Sequence, residues 1–506
     1  MSAPHNFGEL IPRDAPADRI WQVEVAGDDS HREITLGAFH PAADAVARGL
    51  VAQGLTRGER VGILAANSAE YLIAFFGIVR AGLVAVPINY KLPAATVAEI
   101  LDDADVRFVF ADAERAGQAA GWPVVRLDDE ASWSAFADPG SFDSPEMGDD
   151  ETALILYTSG SSGRPKGVPL THGGYVWAAH VLSGSMPPME GKRMLVAAPL
   201  YHMNGLLQST LMSMSGGTVV LMRRFDPRGY LEAAARHRCD IVTAVPTMLA
   251  LAVREKEALA TLDLSPVKLV IMGSAPVSEA LFAEAGRVFP AAMISNTWGT
   301  TEGSPVVFGP HPEGKPKPRL AVGYPLPEAE IRLVGGNSED EGVIWVRSRA
   351  VMPGYLNLPE ESARRLHDGW YDTGDIMRRD ADGFYYFVGR ADDMFVCGGE
   401  NVYPTEVERL LESHPGIAQA SVVPLEDEIK GMVPVAYVVP ASGAGLTEDE
   451  VKAFALKEGP AYRHPRHVAF VDALPLAGTN KVDRQSLTIR AAEEFGAAQR
   501  ARRAST

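Results

Sequence analysis

YTSGSSGRPKG, residues 157–167, packs small hydroxyls and glycines in front of Arg164, Pro165 and Lys166. Glycines let backbone N–H groups approach an anion closely, Ser and Thr hydroxyls add donors, and a lysine supplies a point charge, so the stretch reads as a phosphate loop. It follows ALILYTS, apolar enough to be the end of a buried strand, which predicts an α/β protein with this loop at a strand's carboxyl end. It is not a Walker A loop, which would need glycine at Pro165 and a hydroxyl at Gly167. Nor is it a serine-hydrolase elbow, because Gly160 and Ser162 would need glycine at Arg164. Alone, the stretch could equally be a flexible linker, so the rest of the chain has to decide.

With 506 residues and 46% hydrophobic content, the chain can bury a large core and calls for at least two folding units. Its 47 basic and 65 acidic residues give a net charge of -18, which argues against nucleic acid or an anionic membrane as partner and for small molecules. Cys239 and Cys397 stand far apart without a C-x-x-C, so neither a disulfide framework nor a zinc site is indicated and a reducing compartment is expected. The first thirty residues carry Glu9, Asp14 and Asp18 and no apolar segment, and no run is long enough to span a bilayer; a cytoplasmic location without membrane insertion is expected.

Between about residues 40 and 240, helix-like and strand-like stretches alternate: AADAVARGLVAQG then RVGILAAN, AEYLIAFFGIVRAG then VAVPIN, a polar helix then VRFVFAD. That is the spacing of βαβ units and predicts parallel sheets flanked by helices. PHPEGKPKP (310–318) reads as a surface loop. After GFYYFVGRADD (383–393) the texture changes to an amphipathic helix, PTEVERLLESHP, two short strands, ASVVPL and VPVAYVVP, and another helix, TEDEVKAFALKEG. The expected organisation is a large α/β domain, 1–391, and a small mobile α+β domain, 392–506.

The opening loop has companions in order: NTWGTTEG (296–303), GWYDTGD (369–375), GRADDMFVCGGENVYPTEVE (389–408) and PLAGTNKVDR (475–484). From about position 30 to 490 the chain resembles the adenylate-forming superfamily of acyl- and aryl-CoA synthetases, luciferases and peptide-synthetase adenylation domains. The resemblance implies a two-step reaction with ATP, Mg²⁺ and a thiol, usually that of coenzyme A. A carboxylate attacks the α-phosphate to give acyl-AMP and pyrophosphate, and the thiol then displaces AMP. It assigns Thr158, Ser159, Gly160, Ser161, Ser162, Gly163 and Lys166 to the β- and γ-phosphates, Thr301 to the α-phosphate and Glu302 to Mg²⁺. Asp375 matches the acid on the ribose hydroxyls, with Arg390 as its neighbour, and Trp298, Gly299, Thr300 and the segment Gly273, Ser274, Ala275, Pro276 match the adenine side. Lys481 resembles the C-terminal catalytic lysine, Asp392 the hinge, and Gly398 and Gly399 the loop that swings in for thioester formation. Asn480 stands where most members carry glycine; some aryl-CoA ligases, the 4-chlorobenzoate type among them, share it, which favours an aromatic or cyclic acid. Read alone, Glu302 could cap a helix, Asp375 could sit in a turn and Trp298 could be core; the ordered context is what turns these readings.

PLYHMNG (199–205) matches the segment gating the acyl pocket, so His202 is a candidate substrate contact, with a satisfied core histidine as the other reading. No acid lies between His202 and Gly217 to hold an α-ammonium group, which counts against an amino-acid substrate. The expected lining is Met203, Leu206, Leu207, Met248, Val306, Val307 and Phe308, an apolar set suited to a hydrophobic monocarboxylate. Loading of a carrier-protein phosphopantetheine remains the alternative to a CoA ligase. A non-enzymatic nucleotide binder is disfavoured because every charged catalytic position is filled. The oligomeric state stays open, a homodimer being one option.

Overall fold

The computed structural model describes residues 6–25, 30–159, 165–441, 443–477 and 481–496. Two helix-flanked sheets dominate. One orders its strands Val124–Arg126, Val106–Ala111, Arg60–Leu64, Val84–Pro87, Thr152–Ser159 and Pro165–Thr171, all parallel except the last pair. The other runs Met293–Asn296, Leu269–Met272, Ile241–Ala244, Arg193–Val196, Thr218–Met222, Ile20–Val25 and His31–Thr35, again parallel until the final pair. The alternation read between residues 40 and 240 holds: helices Leu36–Ala52, Ala69–Arg80 and Ala94–Asp103 are each followed by the expected strand, Arg60–Leu64, Val84–Pro87 and Val106–Ala111.

A single hydrophobic cluster joins the sheets, from Val61 and Phe108 in the first, through Val46, Phe75 and Phe76 on the helices, to Met194 and Leu221 in the second. Every residue of Ala69–Arg80 except Glu70 is buried, Ser68 capping the helix by accepting from Tyr71 N, so it is covered on nearly every side rather than along one stripe. Its last residue, Arg80, is fully buried and keeps its charge by pairing with Asp44 at 2.9 Å.

The strand Thr152–Ser159 is buried, and beyond residues 160–164 the chain returns antiparallel to it along Pro165–Thr171. A third, antiparallel sheet follows: Glu330–Ser338, Glu341–Arg347, Trp370–Arg379 and Leu366–His367, with Tyr385–Arg390 pairing Trp370–Arg379. The small domain has its own sheet, Glu400–Val402, Phe395–Cys397, Gly431–Pro440 and Ile417–Asp427, with His467–Phe470 parallel to Gly431–Pro440. Helices Pro404–Glu412, Glu448–Glu458 and Arg484–Glu494 close its separate core around Val407, Val435 and Leu487. Among the described residues no helix is long and apolar enough to cross a membrane.

Candidate active site

In a parallel sheet the carboxyl ends of the strands leave their following loops on one edge, and here four of them line one cleft of about 1800 Å³. Arg193–Val196 delivers Ala198, Pro199 and His202; Ile241–Ala244 delivers Pro246 and Met248; Leu269–Met272 delivers Gly273 to Pro276; Met293–Asn296 delivers Trp298 to Glu302. The hairpin of the other sheet adds Thr158 and Lys166, the third sheet adds Asp375 and Arg390, and the small domain adds Lys481. Gly160, Ser161, Ser162, Gly163 and Asn480 lie outside the described residues, as does the side chain of Ser159.

Asp375 sits opposite Arg390 on paired strands and is 5% exposed. Arg390 Nη1 donates to its Oδ1 at 2.7 Å, and the indole Nε1 of Trp298 donates to its Oδ2 at 2.7 Å. Burial pushes its pKa up, while Arg390 and the indole hydrogen bond pull it down. Trp298 thus touches the acid itself, in addition to lining the cleft. Asp392 Oδ2 accepts from Arg390 Nη2 at 3.1 Å and from Arg365 Nη2 at 2.8 Å. Gly374, at φ 71, lets the chain turn beneath these groups; a Cβ there would stand 3.0–3.3 Å from Arg365, Arg390 and Asp392.

Glu302 projects from a tight turn in which Thr300 and Ser304 exchange backbone hydrogen bonds and Gly303 N donates to Thr300 Oγ1. Thr158 Oγ1 donates to Glu302 Oε1 at 3.1 Å and Tyr355 OH reaches the same oxygen at 3.4 Å. Lys166 Nζ is 2.5 Å from Glu361 Oε1 and stands over the Tyr355 ring at 5.3 Å.

Lys481 sits on a loop closed by Ala477 N donating to Lys481 O and Asp483 N donating to Pro475 O, each 2.8 Å. The following helix is pinned by Arg484, whose two Nη atoms lie 2.5 and 2.6 Å from the Glu408 carboxylate. The lysine keeps accessible surface, which it owes to the cleft it lines, and the protein around it still pushes its pKa down. Asp375 and Glu302 oppose that shift and Arg390 reinforces it, so all four charges share one field. His202 stands at the N-terminus of helix Met203–Met214 without a side-chain capping bond; burial, with Lys481 and Lys91, pushes its pKa down to about 3, and the imidazole is neutral.

Of the expected lining, Met203, Leu207 and Met248 do face the cleft. Leu206, Val306 and Val307 do not: they are 0–2% exposed and packed into the cores, because Leu206 lies on the opposite face of its helix and the two valines point into the sheet layers. Phe308 packs edge-on against Trp298 at 5.7 Å, behind the cleft wall. Gly398 and Gly399 form the exposed tip of a hairpin that does not line the cleft. Sequence reasoning passed over Tyr355, Arg365 and Glu361, whose only signal is proximity across long stretches of chain.

On the interdomain wall, Glu412 at the end of helix Pro404–Glu412 faces Ser278, the cap of helix Glu279–Val288 in the large domain. Burial raises its pKa from 4.5 to about 7, with Glu408 adding to the rise. A carboxyl whose folded pKa exceeds its unfolded one stabilises in its protonated form, so this contribution is complete below 4.5 and is lost as pH climbs through about 7. The thermal midpoint of Glu412→Gln should therefore gain on wild type between about pH 5.5 and pH 8.5. Calorimetry giving the same gap at both ends would remove Glu412 from the interface.

Profile comparison matches residues 13–356 to the "AMP-binding enzyme" family and residues 406–481 to the "AMP-binding enzyme C-terminal domain". A feruloyl-CoA synthase of Amycolatopsis sp is 35% identical over 447 residues, 86% of this chain and 90% of that one. A fatty acid–[acyl-carrier-protein] ligase, ScoC, of Streptomyces coeruleorubidus is 31% identical, covering 90% and 91%. The crystal structure of the anthranilate CoA ligase AuaEII in complex with anthranoyl-AMP superposes with a TM-score of 0.88 at 26% identity, covering 98% of this chain and 99% of that one.

Proposed function

The chain belongs to the AMP-binding enzyme family of ligases, and on that premise we propose that it joins a hydrophobic monocarboxylate, an aryl or medium acyl acid, to the thiol of coenzyme A. The observation that carries the reading is the convergence of Lys481, Asp375 and Glu302 in one cleft from two domains. In the first half-reaction the carboxylate oxygen attacks the α-phosphorus of ATP and pyrophosphate leaves; in the second, sulfur attacks the acyl carbonyl and AMP leaves.

A carboxylate is a weak nucleophile beside a polyphosphate, so the site's work is alignment and charge neutralisation. Lys481, poised between Asp375 and Glu302, bridges the attacking oxygen and the α-phosphate, with Thr301 on the same phosphate. Lys166 and Thr158 hold the β- and γ-phosphates, and Asp375, steadied by Trp298 and Arg390, takes the ribose hydroxyls. Glu302 fits a Mg²⁺ ligand: it is a carboxylate lining the cleft, and its two protein donors, Thr158 and Tyr355, both fall on Oε1. Bound there, the cation would neutralise charge on the leaving pyrophosphate. Neutral His202 with Met203, Leu207 and Met248 gives the acid an uncharged wall.

The small domain, 392–506, turns about Asp392 between half-reactions, bringing Gly398 and Gly399 toward the thiol route. The distance of that hairpin from the cleft, with Lys481 inside it, supports an arrangement suited to the first step. Likeness to ScoC favours a second reading, transfer to a carrier-protein phosphopantetheine. Pyrophosphate release across fatty, benzoic, cinnamic and alicyclic acids, with and without coenzyme A, tests both. Acid-dependent release without CoA-thioester formation by the purified protein selects the carrier, and no release with any acid rejects the reaction.

Asp375→Ala should raise the apparent KM for ATP at least about tenfold while leaving the ranking of acids intact, since it removes a charged acceptor remote from the acyl wall. A reordered acid preference in steady-state assays would contradict the ribose assignment.

A further inference from the structure

We infer that Glu361 is a built-in competitor for Lys166, which loosens the enzyme's hold on polyphosphate and so hastens the departure of pyrophosphate. The inference rests on the reading above, in which Lys166 serves the β- and γ-phosphates. In the structure that ammonium already has an anion: Lys166 Nζ lies 2.5 Å from Glu361 Oε1, and the two side chains are only 13% and 18% exposed. Lys166 lines the cleft and Glu361 does not, so the acid engages the ammonium from outside the cleft.

The backbone on both sides holds the pair together. Lys166 is fixed on its strand opposite Thr158, and Leu356 N donates to Gly167 O at 2.9 Å, which ties the segment before helix Pro359–Arg365 to that strand. The helix is anchored to the same segment by Ser362, whose Oγ accepts from Tyr355 N and donates to Leu358 O, each at 2.8 Å. Glu361 thus meets Lys166 across 195 positions of chain, on a helix pinned beside it.

The pair is also made to open. Glu361 spends one oxygen on each of two cations: Oε1 on Lys166, and Oε2 on Arg364, whose Nη2 donates at 2.7 Å. The bond from Lys166, with Arg364 behind it, holds the carboxyl below its usual pKa, and the acid is ionised at neutral pH. When phosphate oxygens take the ammonium, the acid keeps Arg364, so no charge is left stranded, the outcome that makes parting a buried pair costly. Its negative charge stays beside the phosphates' own cation, and an ammonium shared with a carboxylate neutralises a polyphosphate less well than a free one. Linkage makes the competition reciprocal, and weaker binding within one site appears mostly as faster release.

The test is calorimetric titration of magnesium pyrophosphate and, separately, magnesium ATP into the full-length protein as wild type, Glu361→Gln and Arg364→Ala. Glu361→Gln keeps an acceptor for Nζ and loses the charge, so pyrophosphate should bind at least about fivefold tighter. Arg364→Ala, at a side chain 70% exposed, leaves the acid to Lys166 alone and should weaken binding at least about twofold. An acid that merely props the lysine in place would give losses in both variants, never opposite signs. Binding to Glu361→Gln no tighter than to wild type overturns the competition. Should that variant fail to fold, Arg364→Ala decides, and binding there as tight as wild type or tighter overturns it. A wild type that binds neither magnesium pyrophosphate nor magnesium ATP overturns instead the placing of phosphates at Lys166, and with it the reading on which the inference rests.

Discussion

Lys481→Ala loses at least about a hundredfold in acyl-AMP formation, about 2.7 kcal/mol of transition-state stabilisation, yet converts supplied acyl-AMP and coenzyme A to thioester at a nearly normal rate. The asymmetry follows from where the lysine sits. Its ammonium is the charge the small domain brings into the field of Asp375 and Glu302, and the surrounding protein raises the strength of every interaction there. The substitution leaves Arg484 on Glu408 and the loop closure at Ala477, so the domain keeps its shape. Gly399→Leu is the converse arm: acyl-AMP should accumulate while thioester formation fails. A Cβ at Gly399 meets nothing within 4 Å in this arrangement, so the adenylating geometry has no steric reason to change. Its φ of 91° does strain a leucine, by about 1–2 kcal/mol, so the melting temperature is measured alongside. Equal loss of both half-reactions in both folded variants would sink alternation about Asp392.

Glu302→Gln is the second large effect: pyrophosphate formation should fall at least about a hundredfold, with added Mg²⁺ restoring only part of it. The amide still accepts from Thr158 and Tyr355, so the turn from Thr300 to Ser304 persists and the loss reports charge rather than collapse. Near-normal turnover at low Mg²⁺, read in a magnesium titration, would take Glu302 out of the metal site.

The βαβ half of the molecule was legible because its buried strands are short apolar runs between amphipathic or wholly apolar helices. The third sheet was not, although Glu341–Arg347 alternates buried and more open positions along its length, a period-two signal within reach of the sequence. The strand after the phosphate loop was hidden by Pro165 and Pro169, which a sheet interior would refuse; Pro165–Thr171 is an edge strand and accepts them. At the site, the acids and lysines announced themselves by ordered motifs, whereas their neighbours did not. Tyr355 reaches Glu302 across 53 positions and Arg365 reaches Asp392 across 27, pairings made by folding and by no local pattern. The acyl wall was half legible. Hydrophobicity marked the whole segment, and only the helix's rotation separates Leu207, which faces the cleft, from Leu206, which faces the core.

Asp392 holds two guanidiniums at once, and one of them, on Arg390, also holds Asp375. With the roles proposed above, hinge for Asp392 and ribose acid for Asp375, the two draw on the same cation. Linkage makes the debt mutual: a ribose that loosens Arg390 from Asp375 changes how firmly Asp392 is tethered, and by the same free energy a turned hinge changes how tightly the nucleotide is gripped. Release of AMP and rotation of the small domain then form one thermodynamic square, whose fourth side is known once three are measured.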